Sequence, residues 1–187
     1  MFRTLILAST LALAACSGGE AEQRVDLEPK PEFASEPIES PDTTGAAWSG
    51  SAESGTLRFG KLGEPPLFSI ECKKGQIILS RHAPADPGAQ ALMPLIGNGT
   101  IARLPVDAVA DGDTHIWQGA YPTTLESLDV FLGSNGIEAT VPGAGSIDLA
   151  GSPEPGSLIT RCRQSLQPPL PSPIPRRPDP EASQPTG

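Results

Sequence analysis

Large aromatic side chains are scarce. The 187-residue chain has two tryptophans, one tyrosine and five phenylalanines, so few bulky groups are on hand to fill a core. Histidine is scarcer still, at His82 and His115 alone, and cysteine occurs three times, at Cys16, Cys72 and Cys162. Such a set contains no C-x-x-C and no H-E-x-x-H, so the common zinc patterns are missing. G-x-S-x-G and a glycine-rich phosphate loop are missing too, and no motif for catalysis emerges. Positive charge is short: 13 Lys and Arg stand against 22 Asp and Glu, a formal net charge of −9. That balance argues against nucleic acid as a partner, because little is available to neutralise phosphates. No apolar run reaches the ~20 residues of a membrane-spanning helix.

What the chain has in excess is proline and glycine, 22 and 20 residues. Average usage is about 5% and 7%, so part of the chain is expected to lie outside any packed domain. Residues 17–45 hold eight acids, two bases and four prolines, with Val25, Leu27, Phe33 and Ile38 scattered among them. Such a stretch buries too little to offset ordering entropy and reads as an acidic, self-repelling, disordered linker. Residues 167–187 hold eight prolines and read as a disordered tail with polyproline II character. Residues 46–166 are the one segment with sustained apolar content, enough for a single modest core.

The start is different. Arg3 supplies a positive charge, and residues 5–15 are apolar apart from Ser9 and Thr10. That run has the length of a signal-peptide core. It ends Leu13-Ala14-Ala15-Cys16. This resembles the lipobox of bacterial lipoproteins, in which small residues precede a cysteine. The resemblance implies a signal peptide over 1–15, cleavage before Cys16 and acylation of Cys16, a membrane anchor through lipid. Thiolate is a good nucleophile for such a transfer, and more than one acyl chain is needed for stable anchoring. Ser17, rather than an aspartate, resembles the sorting pattern for the outer membrane, facing the periplasm.

Within 46–166 strand signals dominate. Phe68, Ile70 and Cys72 alternate with Ser69, Glu71 and Lys73, and Lys74-Gly75 turns the chain into residues 76–80, a hairpin. Asn98-Gly99 predicts a second hairpin joining 91–96 to 100–106, with Pro94 and Pro105 placing those strands at edges or ends. Residues 115–117, 137–141 and 146–149 read as further short strands. A capping box of Thr123 and Glu126 predicts a helix through Leu125, Leu128, Phe131 and Leu132. A second helix is expected after Ser152-Pro153-Glu154, with Leu158, Ile159 and Cys162 on one face. The fold class is therefore mostly β with two short helices, a small antiparallel sandwich or barrel-like domain. With Cys16 acylated in an exported protein, Cys72 and Cys162 remain and are expected to form a disulfide.

Candidate chemistry is thin. Asp113 lies two residues before His115, which leaves open a hydrolase using His115. Asp111, Asp113 and His115 alternate as metal ligands on a strand would, but Asp111-Gly112-Asp113 also reads as a solvated turn, and no metal or cofactor is assigned. Trp48 and Trp117 read as core residues or as a carbohydrate-stacking pair. Arg58, Lys61, Lys73, Lys74, Arg81 and Arg103 read either as outward strand and turn positions or as a basic face for an acidic partner. The stretch from Phe59 to Cys72, the capped segment and Arg161-Cys162-Arg163 together resemble a domain of proteobacterial envelope proteins over residues 56–164. Ser69-Ile70-Glu71-Cys72 followed by Lys73-Lys74-Gly75 is also similar to a strand of the membrane-bound lysozyme inhibitors, small β-barrel lipoproteins, from which this chain departs in its helices. The function expected is a non-catalytic binding or structural domain on a lipid anchor, facing an envelope protein or cell-wall partner. The alternatives are an inhibitor of a cell-wall hydrolase, as the lysozyme-inhibitor resemblance implies, and the His115 hydrolase.

Overall fold

A computed structural model describes residues 35–166. Cys16, the signal peptide expected over 1–15, most of the linker expected over 16–45 and the tail expected over 167–187 lie outside the described residues. Nine strands are present: β1 (Ala47–Ser51), β2 (Thr56–Gly60), β3 (Phe68–Lys73), β4 (Gln76–Pro84), β5 (Gln90–Gly97), β6 (Thr100–Asp111), β7 (Thr114–Pro122), β8 (Ile137–Val141) and β9 (Gly145–Leu149). A 3-10 helix (Glu126–Phe131) and one α-helix, α1 (Glu154–Gln164), complete the set. The strands form one antiparallel sheet in the order β1-β2-β3-β4-β7-β6-β5-β8-β9. It curls into a nearly closed, barrel-like shape. The indole of Trp48 on β1 donates to the Ala150 carbonyl just past β9 at 2.9 Å, so a side chain bridges the two edge strands.

Alternation builds the core. Leu57 and Phe59, Phe68 and Ile70, Ile77 and Leu79, Met93 and Leu95, Ala102, Leu104 and Val106 all face one continuous buried cluster. Two turns close on residues with positive φ, Lys74-Gly75 and Asn98-Gly99, as a two-residue hairpin with the twist of its strands requires. The Asn98 side chain goes further. Its Nδ2 donates to the Val130 carbonyl and its Oδ1 accepts from the Asn135 amide, pinning the hairpin to the 3-10 segment.

Three expectations are corrected and two strands are added. Pro94 and Pro105 do not mark edges, because β5 and β6 each have strands on both sides. They are tolerated because the second pairing stops short: β8 pairs β5 only at Leu95–Gly97, and β7 pairs β6 only from Asp107. With Gly97 and Thr100 closing the hairpin, both prolines point their missing N–H away from each other's strand, into those unpaired stretches. The Thr123–Glu126 capping box does not form. Thr123 is buried, its carbonyl accepts from Arg163 Nε at 2.7 Å, and the helix is a short 3-10 turn without a side-chain cap. Burial of Leu128, Val130 and Phe131 together sets its shape in place of α-helical periodicity. β1 and β2 were not anticipated, although Leu57 and Phe59 flanking Arg58 carry the alternating signal. Residues 35–45, placed in the linker, run over the domain instead. Ser35 donates to Asp86, Ile38 N to the Gly143 carbonyl, and Ser40 Oγ accepts from Ser146 N.

At the opposite side of the chain, Arg161-Cys162-Arg163 fastens α1 by three consecutive side chains. Arg161 pairs with Glu53 at 2.8 Å, Arg163 with Asp129 at 2.8 Å, and Cys162 is disulfide-bonded to Cys72 with Cα atoms 5.8 Å apart. Gly156 sits where a Cβ would come within 2.9 Å of the Phe131 carbonyl, so the glycine that weakens the helix also lets it approach the 3-10 segment. No helix among the described residues is long and apolar enough to cross a membrane.

Candidate functional site

The six basic residues singled out in the sequence do not share a face. Lys73 and Lys74 lie at the β3–β4 turn and Arg103 on the outer face of β6. Arg81 is inside. It follows Ile77 and Leu79 on the inward side of β4 and is only 2% exposed. Its Nη atoms donate to the Leu67 and Ala144 carbonyls, each at 3.2 Å, and burial pulls the guanidinium down to about 10. No acid pairs with it among the described residues. Arg81 thus ties the β2–β3 loop to the β8–β9 turn.

Arg58 and Lys61 do converge. They line a pocket of about 300 Å³ with Ala47, Trp48, Ser49, Leu62 and Glu64, between the first two strands and the loop after β2. Trp48 is held there by packing on Phe59, ring centres 5.3 Å apart, and on Phe68. Leu62 stands fully exposed on the rim. The Arg58 side chain makes no hydrogen bond or ion pair among the described residues, whereas Lys61 Nζ meets Asp42 Oδ2 at 2.9 Å. Hydrogen bonds from Thr44, and then Lys61, hold the Asp42 carboxyl well below the usual range.

Strand register continues the pocket into a polar row on the outer face. Ser49 opposes Arg58, Arg58 opposes Ser69, Ser69 opposes Ser80, Ser80 opposes Gln118, and Gln118 opposes Asp107. Gln118 donates to Ser80 Oγ and Gln90 to Asp107 Oδ1. Alternation on β4 puts His82 on the outer face with Ser80, diagonal to Ser69, and its Nε2 lies 2.9 Å from Ser69 Oγ. Burial, the largest cause, lowers the His82 pKa; the Asp111 carboxylate opposes it, while Arg81 and Arg58 reinforce it. Nothing around His82 in the sequence distinguishes it from any lone histidine. Only the β3–β4 register reveals its serine partner.

This depressed value has a stability consequence. The unfolded chain takes up a proton near the ordinary ~6.5, before the folded protein does. Stability from neutral His82 is therefore full above that value and is lost as pH falls toward the folded pKa. We expect the melting temperature to fall between about pH 7.5 and 5.5, and the fall to be shallower in His82→Gln. Equal slopes in a calorimetric series would show that His82 is not the group responsible.

His115 lies at the start of β7, beyond the turn Asp111-Gly112-Asp113, and its side chain makes no hydrogen bond among the described residues. No group of three or more His, Cys, Asp or Glu side chains among the described residues could hold a metal. Trp117 is buried in the core, apart from Trp48's pocket. A wider groove of about 670 Å³ lies between the end of the 3-10 helix and α1, lined by Ser134, Ser157, Thr160 and Gln164. Its one ionised residue, Arg161, is already paired with Glu53, so it offers a ligand less charge than the smaller pocket does. The chain matches no protein-family model, and no curated protein and no solved structure is significantly similar to it.

Proposed function

We propose that this chain is a lipid-anchored envelope lipoprotein, held by acyl groups on Cys16, whose β domain binds a partner and does no chemistry on it. The observation that carries the anchor is the Cys72–Cys162 disulfide. Disulfides persist in oxidising compartments, which supports export, and the bond leaves Cys16 as the one cysteine unaccounted for. That cysteine directly follows the short apolar run and Leu13-Ala14-Ala15. Ser17 favours the outer membrane, with the domain facing the periplasm. Binding is favoured by where the polar groups lie. The barrel-like interior is filled by side chains, and Arg58, Lys61 and Glu64 lie in a shallow pocket at the surface, suited to contact with a partner surface.

The anchor is tested by growing cells with labelled palmitate. The mature protein is expected to carry label in the membrane fraction, and Cys16→Ser to carry none. Unlabelled, full-length protein in the cytosolic fraction would overturn the proposal. The binding reading is tested by cross-linking in intact envelopes, where a discrete adduct is expected and its absence would count against it.

A further inference from the structure

We propose that the pocket between β1, β2 and the loop after β2 binds carboxylates of an acidic polymeric partner, and that Asp42 is the occupant such a partner displaces. This rests on the binding-domain reading and names the chemistry of the partner. Arg58 lines the pocket with its guanidinium unpaired among the described residues. A guanidinium presents a planar fork that fits a carboxylate with two parallel hydrogen bonds. Lys61, on the same pocket, already carries a carboxylate, that of Asp42 at 2.9 Å. The Asp42 side chain is 67% exposed, so this is a rim contact of the kind that contributes little to stability and can exchange.

The remaining lining selects the charge and form of the ligand. Glu64 stands in the wall and acts on Lys61, so a dianion such as phosphate meets more repulsion there than a single carboxylate. Trp48 and the exposed Leu62 offer apolar surface beside the cations, suited to the carbon chain that bears an acidic group. Asp42 is tethered and therefore competes at a high effective concentration. A lone carboxylate in solution displaces it poorly. A chain of carboxylates engages Arg58 first and then replaces Asp42 on Lys61.

The experiment is a calorimetric titration of the purified full chain with poly-L-glutamate, alongside inorganic phosphate and neutral dextran. Wild type is expected to bind polyglutamate and not dextran. Arg58→Gln is expected to bind about tenfold more weakly, as loss of a charge-assisted pair implies. Asp42→Asn is expected to bind several-fold more tightly, because it removes the internal competitor, a gain that a merely structural Asp42 would not produce. Equal affinities for wild type and both variants would overturn the site, and phosphate binding as tightly as polyglutamate would overturn the carboxylate assignment. In envelopes, an adduct formed equally by wild type and Arg58→Gln would sink this pocket while leaving the binding domain standing. No adduct for either would sink the binding reading itself.

Discussion

Replacing Cys72 and Cys162 together by serine is expected to cost about 4–5 kcal/mol of unfolding free energy, the chain-entropy value for a loop near this length. The two cysteines are 90 residues apart, so the bond removes much of the freedom of the unfolded chain. The folded side depends on it as well. The helix α1 has 11 residues, too few to persist alone in water, and it buries Leu158, Ile159 and Pro155 against the barrel-like sheet. Its two arginine pairs lie at the surface, with side chains from 29% to 69% exposed, and hold it weakly. Equilibrium urea unfolding of the reduced or double-serine protein measures the loss, and hydrogen exchange locates it. The α1 amides are expected to lose protection before those of the central strands β4, β6 and β7. A loss below about 1 kcal/mol would mean that apolar contacts alone hold the helix, well short of the entropic expectation.

Phe68→Ala is expected to destabilise by about 3–5 kcal/mol, the range for removing a fully buried phenylalanine. Phe68 has no solvent exposure and stands between Trp48, at 6.4 Å edge to face, and Phe131, at 6.5 Å. With so few aromatics in the chain, Trp48, Phe59, Phe68 and Phe131 together hold a large share of its ring volume. Their removal has no ready substitute nearby. The cavity opens where β1, β3 and the 3-10 helix meet, so Trp48 is expected to change its fluorescence in the folded variant. Phe68→Leu retains more volume and is expected to cost less. Thermal or urea unfolding ranks the two, and an alanine variant within about 1 kcal/mol of wild type would show that the neighbours collapse into the space.

Local rules account for much of this fold. Alternation at 68–73 and the two turn dipeptides specify hairpins whose partners lie two residues away, so no long-range information is needed to read them. The cysteine pairing follows once the lipobox resemblance sets Cys16 aside. Arg81 shows both the strength and the limit of the local reading. Alternation with Ile77 and Leu79 places it on the inward face, yet a basic residue reads as outward by composition, and only the closed sheet supplies the Leu67 and Ala144 carbonyls that make its burial tolerable. Thr123 shows the converse, a sound local cap signal that goes unused: the residue is buried and the 3-10 turn begins after Leu125 without a side-chain cap.

By itself, the order of residues determined the mostly β character, the principal turns and the α1 start, and the lipobox resemblance pointed to the Cys72–Cys162 bond. Tertiary structure alone decided that Pro94 and Pro105 sit within the sheet, that His82 meets Ser69, that residues 35–45 lie on the domain, and that Arg58 and Lys61 share a pocket free of the other lysines and arginines. The physical reason is separation along the chain. Period and turn chemistry act over a few residues, whereas those juxtapositions depend on which strand pairs with which and where each pairing stops, quantities set only when the whole sheet closes around its core.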